Sequence, residues 1–331
     1  MFPLALLFIS WCAGALTEAP QYYDLDDAHI HFNEFMTKFG KNYVSEHEMR
    51  HRFEIFKANL QEVNRLNQEE NVNVYGISRF MDVTKEEFIN TYTGFRAMNY
   101  GDHCVRKYDE DIPDTNVPDS FDWREKNAVA KVDNQGECGC CWAFSAAGVL
   151  EGQYAIRHKG PVSLSKQQMI DCDLLSEGCC GGTPGNAIKS VIEQGGILRE
   201  LDYPFIGRKL NCTIEKPIAA TVKSCTLWRI ESQEKIKRLL YTYGPISIAI
   251  RGEGIIHYDH GIIPKCNNNT YALNHAVLLV GYGAENGQQY WTVKNSWGNF
   301  WGDSGYFRLP RGEGIDSCGM QVDFLTTAEL E

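Results

Sequence analysis

Three residues far apart in the chain carry the means for nucleophilic acyl chemistry: a cysteine, a histidine and an asparagine. Cys141 follows the tract Gln135-Gly136-Glu137-Cys138-Gly139-Cys140, His275 stands in Asn274-His275-Ala276-Val277, and Asn295 in Lys294-Asn295-Ser296-Trp297-Gly298. A thiolate that attacks a carbonyl, a histidine that exchanges protons with it and an asparagine that orients the imidazole are the parts such a reaction needs. The thiolate rather than the thiol is the reactive form, so the surroundings must favour loss of the Cys141 proton. Two influences are available. A helix is predicted from Trp142 through Lys159, because Ala143, Ala146, Ala147, Leu150 and Tyr154 recur at helical spacing and Gly160-Pro161 stops it. Cys141 then lies at the positive end of the helix dipole. An imidazolium at His275 would be the second influence and would later protonate a leaving amine.

These tracts, in this order, resemble the papain family of cysteine peptidases, and the likeness is continuous from Phe121-Asp122-Trp123-Arg124 to the C-terminus. The resemblance implies that Cys141, His275 and Asn295 are catalytic and that Gln135 offers its side-chain amide, beside the Cys141 backbone N–H, to the developing oxyanion. Trp297 would shield the Asn295 contact from water. Gly181 and Gly182 would lie extended along the cleft and hydrogen-bond the substrate backbone. Thr183, Pro184, Ala249, Leu273 and Asn274 would surround the pocket for the residue two before the scissile bond. Its floor would be Asp323, whose carboxylate can pair with Arg or Lys, so basic residues are expected there alongside aliphatic ones. No His-bearing insertion of the kind found in carboxydipeptidase relatives is present. The expectation is therefore an endopeptidase acting on polypeptides, with no cofactor and no metal. Within the family, the tracts Phe121-Asp122-Trp123-Arg124 and Glu151-Gly152-Gln153-Tyr154-Ala155-Ile156 are similar to those of viral cathepsins of insect viruses.

The N-terminal third has a different character. Leu4 to Trp11 is a short apolar run followed by Ala13 and Ala15 in a small-residue cleavage pattern, so residues 1–15 are expected to be a signal peptide. That run is far shorter than the ~20 residues a membrane span requires. Residues 16–116 are charged and poor in cysteine. Ser45 followed by Glu48 predicts a helix start, and the pattern continues to about Gln68. Glu48, Arg52, Phe56, Asn59, Val63 and Asn67 share one face of that helix. These residues resemble a propeptide motif of cathepsin L-like members, with Val63 where isoleucine is usual; Gly76, Phe80 and Asp82 match a second, with Ser78 replacing its asparagine. The resemblance implies that residues 16–116 are an inhibitory propeptide whose tail, Met98 to Asn116, is an exposed, cleavable connection. Cleavage is expected near Asn116 or Val117, with Pro118 resisting further trimming. The chain's own propeptide is thus the expected inhibitor, cystatin-like inhibitors are expected partners, and the protein is expected to be monomeric.

With 331 residues, 43 % of them hydrophobic, the chain can bury a sizeable core, and a net charge of −11 argues against nucleic acid as a partner. The expected fold class is α+β: a papain-like arrangement with a helical domain over 117–225, a β-barrel-like domain over 226–331, and an N-terminal helical propeptide. Ser165 caps a helix from Lys166 to Asp171, and Thr183-Pro184 opens another to Glu193. Strands are predicted at Ile246 to Ile250, Ala276 to Gly281, Tyr290 to Lys294 and Gly305 to Leu309. Cys141 falls on the first half, His275 and Asn295 on the second, so the site is assembled across the cleft between them.

A secretory entry, ending in the lysosome or outside the cell, makes the 12 cysteines candidates for disulfides. The resemblance implies Cys138 with Cys179, Cys172 with Cys212, and Cys266 with Cys318. Cys140 and Cys180 stand where the family has serine and asparagine; they either form a fourth disulfide near the cleft or fill space as small buried residues. Cys104 and Cys225 are expected to be unpaired. Sequons at Asn268 and Asn211 are compatible with glycosylation. Two readings from other classes compete. Cys138-Gly139-Cys140-Cys141 contains a C-x-x-C that suits a redox or zinc site, but that reading accounts for none of Gln135, His275 and Asn295. An inactive homologue acting as a binding or inhibitory protein is the other, and no catalytic position has been lost to support it.

Overall fold

The computed structural model of the chain describes residues 20–97, 104–266, 272–320 and 324–331. The expected signal peptide, Asn268 and Asp323 lie outside the described residues. Three helices open the chain: α1 (Ala28–Phe39), α2 (Glu46–Glu70) and α3 (Lys85–Tyr92). Helix α2 begins where Ser45 accepts a hydrogen bond from the Glu48 N–H, while the Glu48 carboxylate reaches back to the Val44 N–H at 2.8 Å. Its motif face fastens the chain that follows. Asn59 donates to the Met81 and Val83 carbonyls, Arg52 pairs with Glu87 at 2.8 Å, and Asn67 donates to the Tyr75 carbonyl. The apolar part of the same helix packs Phe56 against Phe32 and Phe35 of α1.

The rest of the chain is a twisted sheet with helices against it. Helices α4 (Cys141–His158), α5 (Lys166–Cys172) and α6 (Pro184–Glu193) are bounded as their end residues dictate. Lys159 ends α4 in the left-handed region, the Ser165 hydroxyl caps α5, and Thr183 caps α6 with Pro184 in its first turn. Strands β1 (Val105–Tyr108), β2 (Phe121–Asp122), β3 (Val222–Arg229), β4 (Ile246–Ile250), β5 (His275–Glu285), β6 (Gln288–Lys294), β7 (Tyr306–Pro310) and β8 (Leu325–Leu330) form one sheet. Its order is β1-β3-β8-β4-β5-β6-β7, with β2 paired to β5. Helix α7 (Gln233–Tyr243) interrupts the half in which only strands were expected; its apolar face carries Ile236, Leu239 and Leu240 into the core. The architecture is the α+β class anticipated.

Two cores result. One joins α4, α5 and α6 to the β3 and β8 end of the sheet through residues such as Leu150, Met169, Ile188 and Leu227. The other is shared between the first three helices and the β4 to β7 region, running from Phe56 and Leu60 through Phe80 and Phe88 to Ile248, Val277 and Trp291. The N-terminal segment thus completes the β-rich half's core rather than resting on a finished surface.

Disulfides join Cys138 to Cys179, Cys172 to Cys212 and Cys266 to Cys318, as implied. The expectation that Cys104 and Cys225 stand alone is corrected: they are bonded to each other. Strand β1 lies parallel on β3 with Val105 opposite Thr226, which brings the preceding residue of each strand together. The fourth bridge considered for Cys140 and Cys180 does not form. Cys140 is buried ahead of α4, whereas Cys180 is exposed, because its neighbour Cys179 is the one drawn inward to Cys138. Among the described residues no helix is long and apolar enough to cross a membrane.

Candidate active site

Cys141 is the first residue of α4 and is fully buried. Its sulfur accepts a hydrogen bond from the Ala276 N–H at 3.4 Å, so the residue next to His275 touches the thiol across the junction of helix and sheet. The pairing of β4 with β5, Ala249 opposite Ala276 and Ile250 opposite His275, sets that placement.

His275 is also fully buried, and its Nε2 lies 2.8 Å from Asn295 Oδ1. That oxygen also accepts from the Ser296 N–H at 2.8 Å, which holds the Asn295 carboxamide in place. The other ring nitrogen, Nδ1, is buried with no hydrogen-bond partner. The imidazole stacks on Trp297 at 4.5 Å between ring centroids. Burial pushes the His275 pKa down to about 4, against the smaller opposing effect of the Asn295 hydrogen bond. Burial likewise pushes the Cys141 thiol up, with backbone hydrogen bonds at Ala276 and Gly94 opposing. Burial thus disfavours the charged form of both groups in this state.

What buries them is the segment just after α3. Gln135 donates from Nε2 to the Cys138 carbonyl at 2.8 Å and to the Tyr92 carbonyl at 3.1 Å, while Ser296 Oγ donates to its Oε1. The Gly94 and Phe95 N–H groups both donate to the Asn274 carbonyl, at 3.0 and 2.8 Å. On the other wall Gly182 N–H donates to the Gly94 carbonyl at 2.9 Å and Arg96 N–H to the Gly182 carbonyl at 3.0 Å. A side chain on Gly94 would collide with the Gly139 carbonyl, and one on Gly181 would meet Arg96. Phe95 inserts between Cys141, Ala249 and Ala276, with Leu273 packed alongside and Phe324 edge-on at 5.3 Å.

The residues expected around a substrate pocket thus divide cleanly. Ala249 and Leu273 contact Phe95, and Asn274 and Gly182 bind the backbone beside it, while buried Thr183 and Pro184 follow Gly182 at the start of α6. Asn211 is exposed beside the Cys172–Cys212 bridge. Sequence reasoning did not single out Gly94, Phe95 or Arg96. The available signal was Gly94 itself, a glycine after a helix where a close backbone approach is one standard cause.

Residues 117–328 match the family described as papain family cysteine protease, and residues 32–88 match the cathepsin propeptide inhibitor domain I29. The viral cathepsin of Orgyia pseudotsugata multicapsid polyhedrosis virus is 42% identical over 309 residues, 93% of this chain and 94% of that protein. That of Antheraea pernyi nuclear polyhedrosis virus is 43% identical over the same length, again 93% of this chain and 94% of that protein. Among solved structures, the digestive procathepsin L2 proteinase from Tenebrio molitor larval midgut is similar with a TM-score of 0.84 and 32% identity, covering 92% of this chain and 100% of that one.

Proposed function

Because the chain belongs to the papain family of cysteine proteases and carries a cathepsin propeptide inhibitor domain, we propose that it is an acid-activated endopeptidase zymogen in which Cys141 and His275 form the acyl-transfer pair. The observation that carries this reading is the occupied cleft: a Gly94-Phe95-Arg96 backbone bonded to Gly182 and Asn274, directly over a buried thiol. Peptide backbone is held there in the manner a substrate would be.

In the zymogen, burial disfavours charge on both Cys141 and His275, and with it the thiolate that would attack. Removal of the propeptide readmits water, lowers the cost of charge on both groups and lets the proton pass from sulfur to His275 Nδ1. Asn295 holds the ring through Nε2. The thiolate forms a bond to the scissile carbonyl carbon. The resulting oxyanion receives the Cys141 N–H and the Gln135 amide N–H that Tyr92 now occupies. His275 passes its proton to the amine nitrogen as the C–N bond breaks, and then takes one from the water that hydrolyses the thioester.

Residues 117–225 and 226–331 are the two halves of the mature enzyme on this reading, released by a cut near Asn116. By resemblance, Asp323 would floor the pocket for the residue two before the scissile bond and give it a preference for basic alongside aliphatic residues. The disulfides and the apolar N-terminal run support entry into the secretory pathway, with lysosome or extracellular space as destination.

The test is acid activation of the purified proenzyme followed by an epoxide thiol titrant and mapping of the labelled residue. Label on Cys141 in step with loss of peptidase activity is expected. Label on Cys140 or Cys180 with activity intact would overturn the assignment. Gln135→Ala is expected to lower kcat by about 100- to 1000-fold.

A further inference from the structure

We propose that the Cys104–Cys225 disulfide is a thiol-opened latch, which keeps the inhibitory segment attached to the enzyme after the backbone is cut, so that full activity needs a reductant as well as cleavage. The inference rests on the reading of the residues before about 116 as a removable inhibitor.

The bridge ties the stretch between the two matched regions to the second: Cys104 follows the propeptide match, which ends at residue 88, and Cys225 lies inside the peptidase match, which begins at 117. A cut near residue 116 falls on the far side of Cys104 and leaves every inhibitory residue joined to the enzyme through sulfur. Only eight positions separate Arg96 in the cleft from Cys104. So short a tether holds the cut segment at an effective concentration on the order of millimolar, where it rebinds rather than diffuses away.

The surroundings also impose an order of events. Cys104 and Cys225 are 6% and 3% exposed, packed in the core with α4 and α6, and Cys104 immediately precedes β1, which adds four residues to the free edge of β3. Downstream, the Glu231 N–H donates to Asp109 Oδ1 at 3.1 Å, Lys235 donates to the Asp109 carbonyl at 2.7 Å, and Arg238 pairs with Asp114. While the chain is continuous, β1 is anchored on both sides. A cut near 116 removes the covalent continuity beyond these contacts and leaves a strand paired along only one edge, whose peeling draws Cys104 out of the packing around the sulfurs. A low-molecular-weight thiolate then attacks one sulfur, forming a mixed disulfide and expelling the other as a thiolate that takes up a proton. A second thiol resolves the mixed disulfide, so that two RSH become RSSR while Cys104 and Cys225 become thiols.

The test uses the full-length proenzyme, purified and acid-processed without reductant, beside a Cys104→Ser/Cys225→Ser double variant. Intact mass is measured with and without dithiothreitol, and hydrolysis of a fluorogenic peptide is followed in both conditions. The processed wild type is expected to retain the propeptide fragment until reduced, and its activity to rise about 100-fold on reduction. The double variant is expected to become active on cutting alone, which also corrects for any reductant needed by Cys141. Should the double variant not fold, the mass measurement on the wild type decides by itself. A fragment released without reductant, full activity already present before reduction, or alkylation of Cys104 and Cys225 as free thiols in the proenzyme would each overturn the latch. A fragment that leaves only on reduction, with no activity afterwards, would uphold the latch and refute the peptidase reading.

Discussion

The inhibitory segment is held at two places by opposite means. Around the cleft it is held by packing: Phe80 and Phe88 meet Trp297 edge-on at 5.1 and 5.3 Å, and Trp297 in turn stacks on His275. Along β3 it is held by one covalent bond, a short edge strand and exposed polar contacts. The first attachment is made of many weak, non-covalent contacts that can re-form. The second closes a loop spanning 121 positions, worth about 4–5 kcal/mol in a chain-entropy account, and is indifferent to acid. On the proposed reading inhibition answers to two separate conditions, and mutations can be chosen that act on one attachment and spare the other.

The largest expected effect comes from Phe88→Ala. Phe88 is fully buried between Phe80, Tyr92 and Trp297, and truncation of such a ring costs about 3–5 kcal/mol. The proenzyme should cleave substrate at neutral pH before any processing, while its Cys104–Cys225 bridge stays intact by non-reducing mass analysis. An unchanged activation pH would mean that the aromatic platform contributes nothing to docking.

Gly94→Ala acts within the cleft itself. The new methyl would collide with the Gly139 carbonyl, and relief of an overpacked contact of this kind costs about 1–3 kcal/mol. Premature activity at neutral pH is again expected, smaller than for Phe88→Ala. Once processed and reduced, so that the fragment carrying position 94 has left, the enzyme should have unaltered kcat/KM. A changed kcat/KM after processing would show that the segment is retained.

His257 gives the packed attachment its expected pH dependence. It borders a gap lined on one side by Asn59, Glu62, Tyr75 and Lys85 and on the other by Arg251 and Glu253, and its carbonyl accepts from the Gly76 N–H at 2.9 Å. Burial depresses its pKa to about 4, with Glu62 opposing. A depressed histidine leaves the docked state fully stable above the ordinary value of about 6.5. That stability is lost as pH falls from there towards 4, because only the undocked form takes up the proton. At pH 5 the loss is about 2 kcal/mol. His257→Phe should therefore move the midpoint of acid activation down by about one pH unit, with no effect on thiol release of the fragment. A midpoint that stays put would assign the acid response to other groups.

How much of this was legible in the sequence follows from where each signal resides. The starts of α5 and α6 were readable because Ser165 and Thr183-Pro184 act locally, and β4 because its apolar run is short and bounded. Helix α7 was missed because its Ile236, Leu239 and Leu240 stripe is brief and surrounded by strand-like sequence. The fully alternating signal expected of a strand is also weak in β8, where Thr326 and Thr327 are buried. Cys141, His275 and Asn295 could be nominated from their flanking tracts, but their convergence depends on the register of β4 on β5. The Cys104–Cys225 pairing had no local signature at all, since it depends on β1 finding the edge of β3 far along the chain. Treating the propeptide and the enzyme as separate bodies hid the one pair of cysteines that joins them.

The smallest expected effect sharpens the comparison most. Arg238 pairs with Asp114 downstream of β1, but the two side chains are 31% and 91% exposed, and such an ion pair is worth about 0–1 kcal/mol. If the second attachment is held by its sulfur bond, Arg238→Ala should leave the retention of the cut fragment unchanged without reductant. It should speed thiol-driven release by no more than about fivefold, because the ion pair only slows the peeling of β1 that uncovers the sulfurs. Measuring fragment release against thiol concentration in wild type and variant separates the two contributions. A variant that loses its fragment without any thiol would show that surface contacts, not the covalent bond, hold this end of the segment, and the contrast between the two attachments would collapse into one of degree.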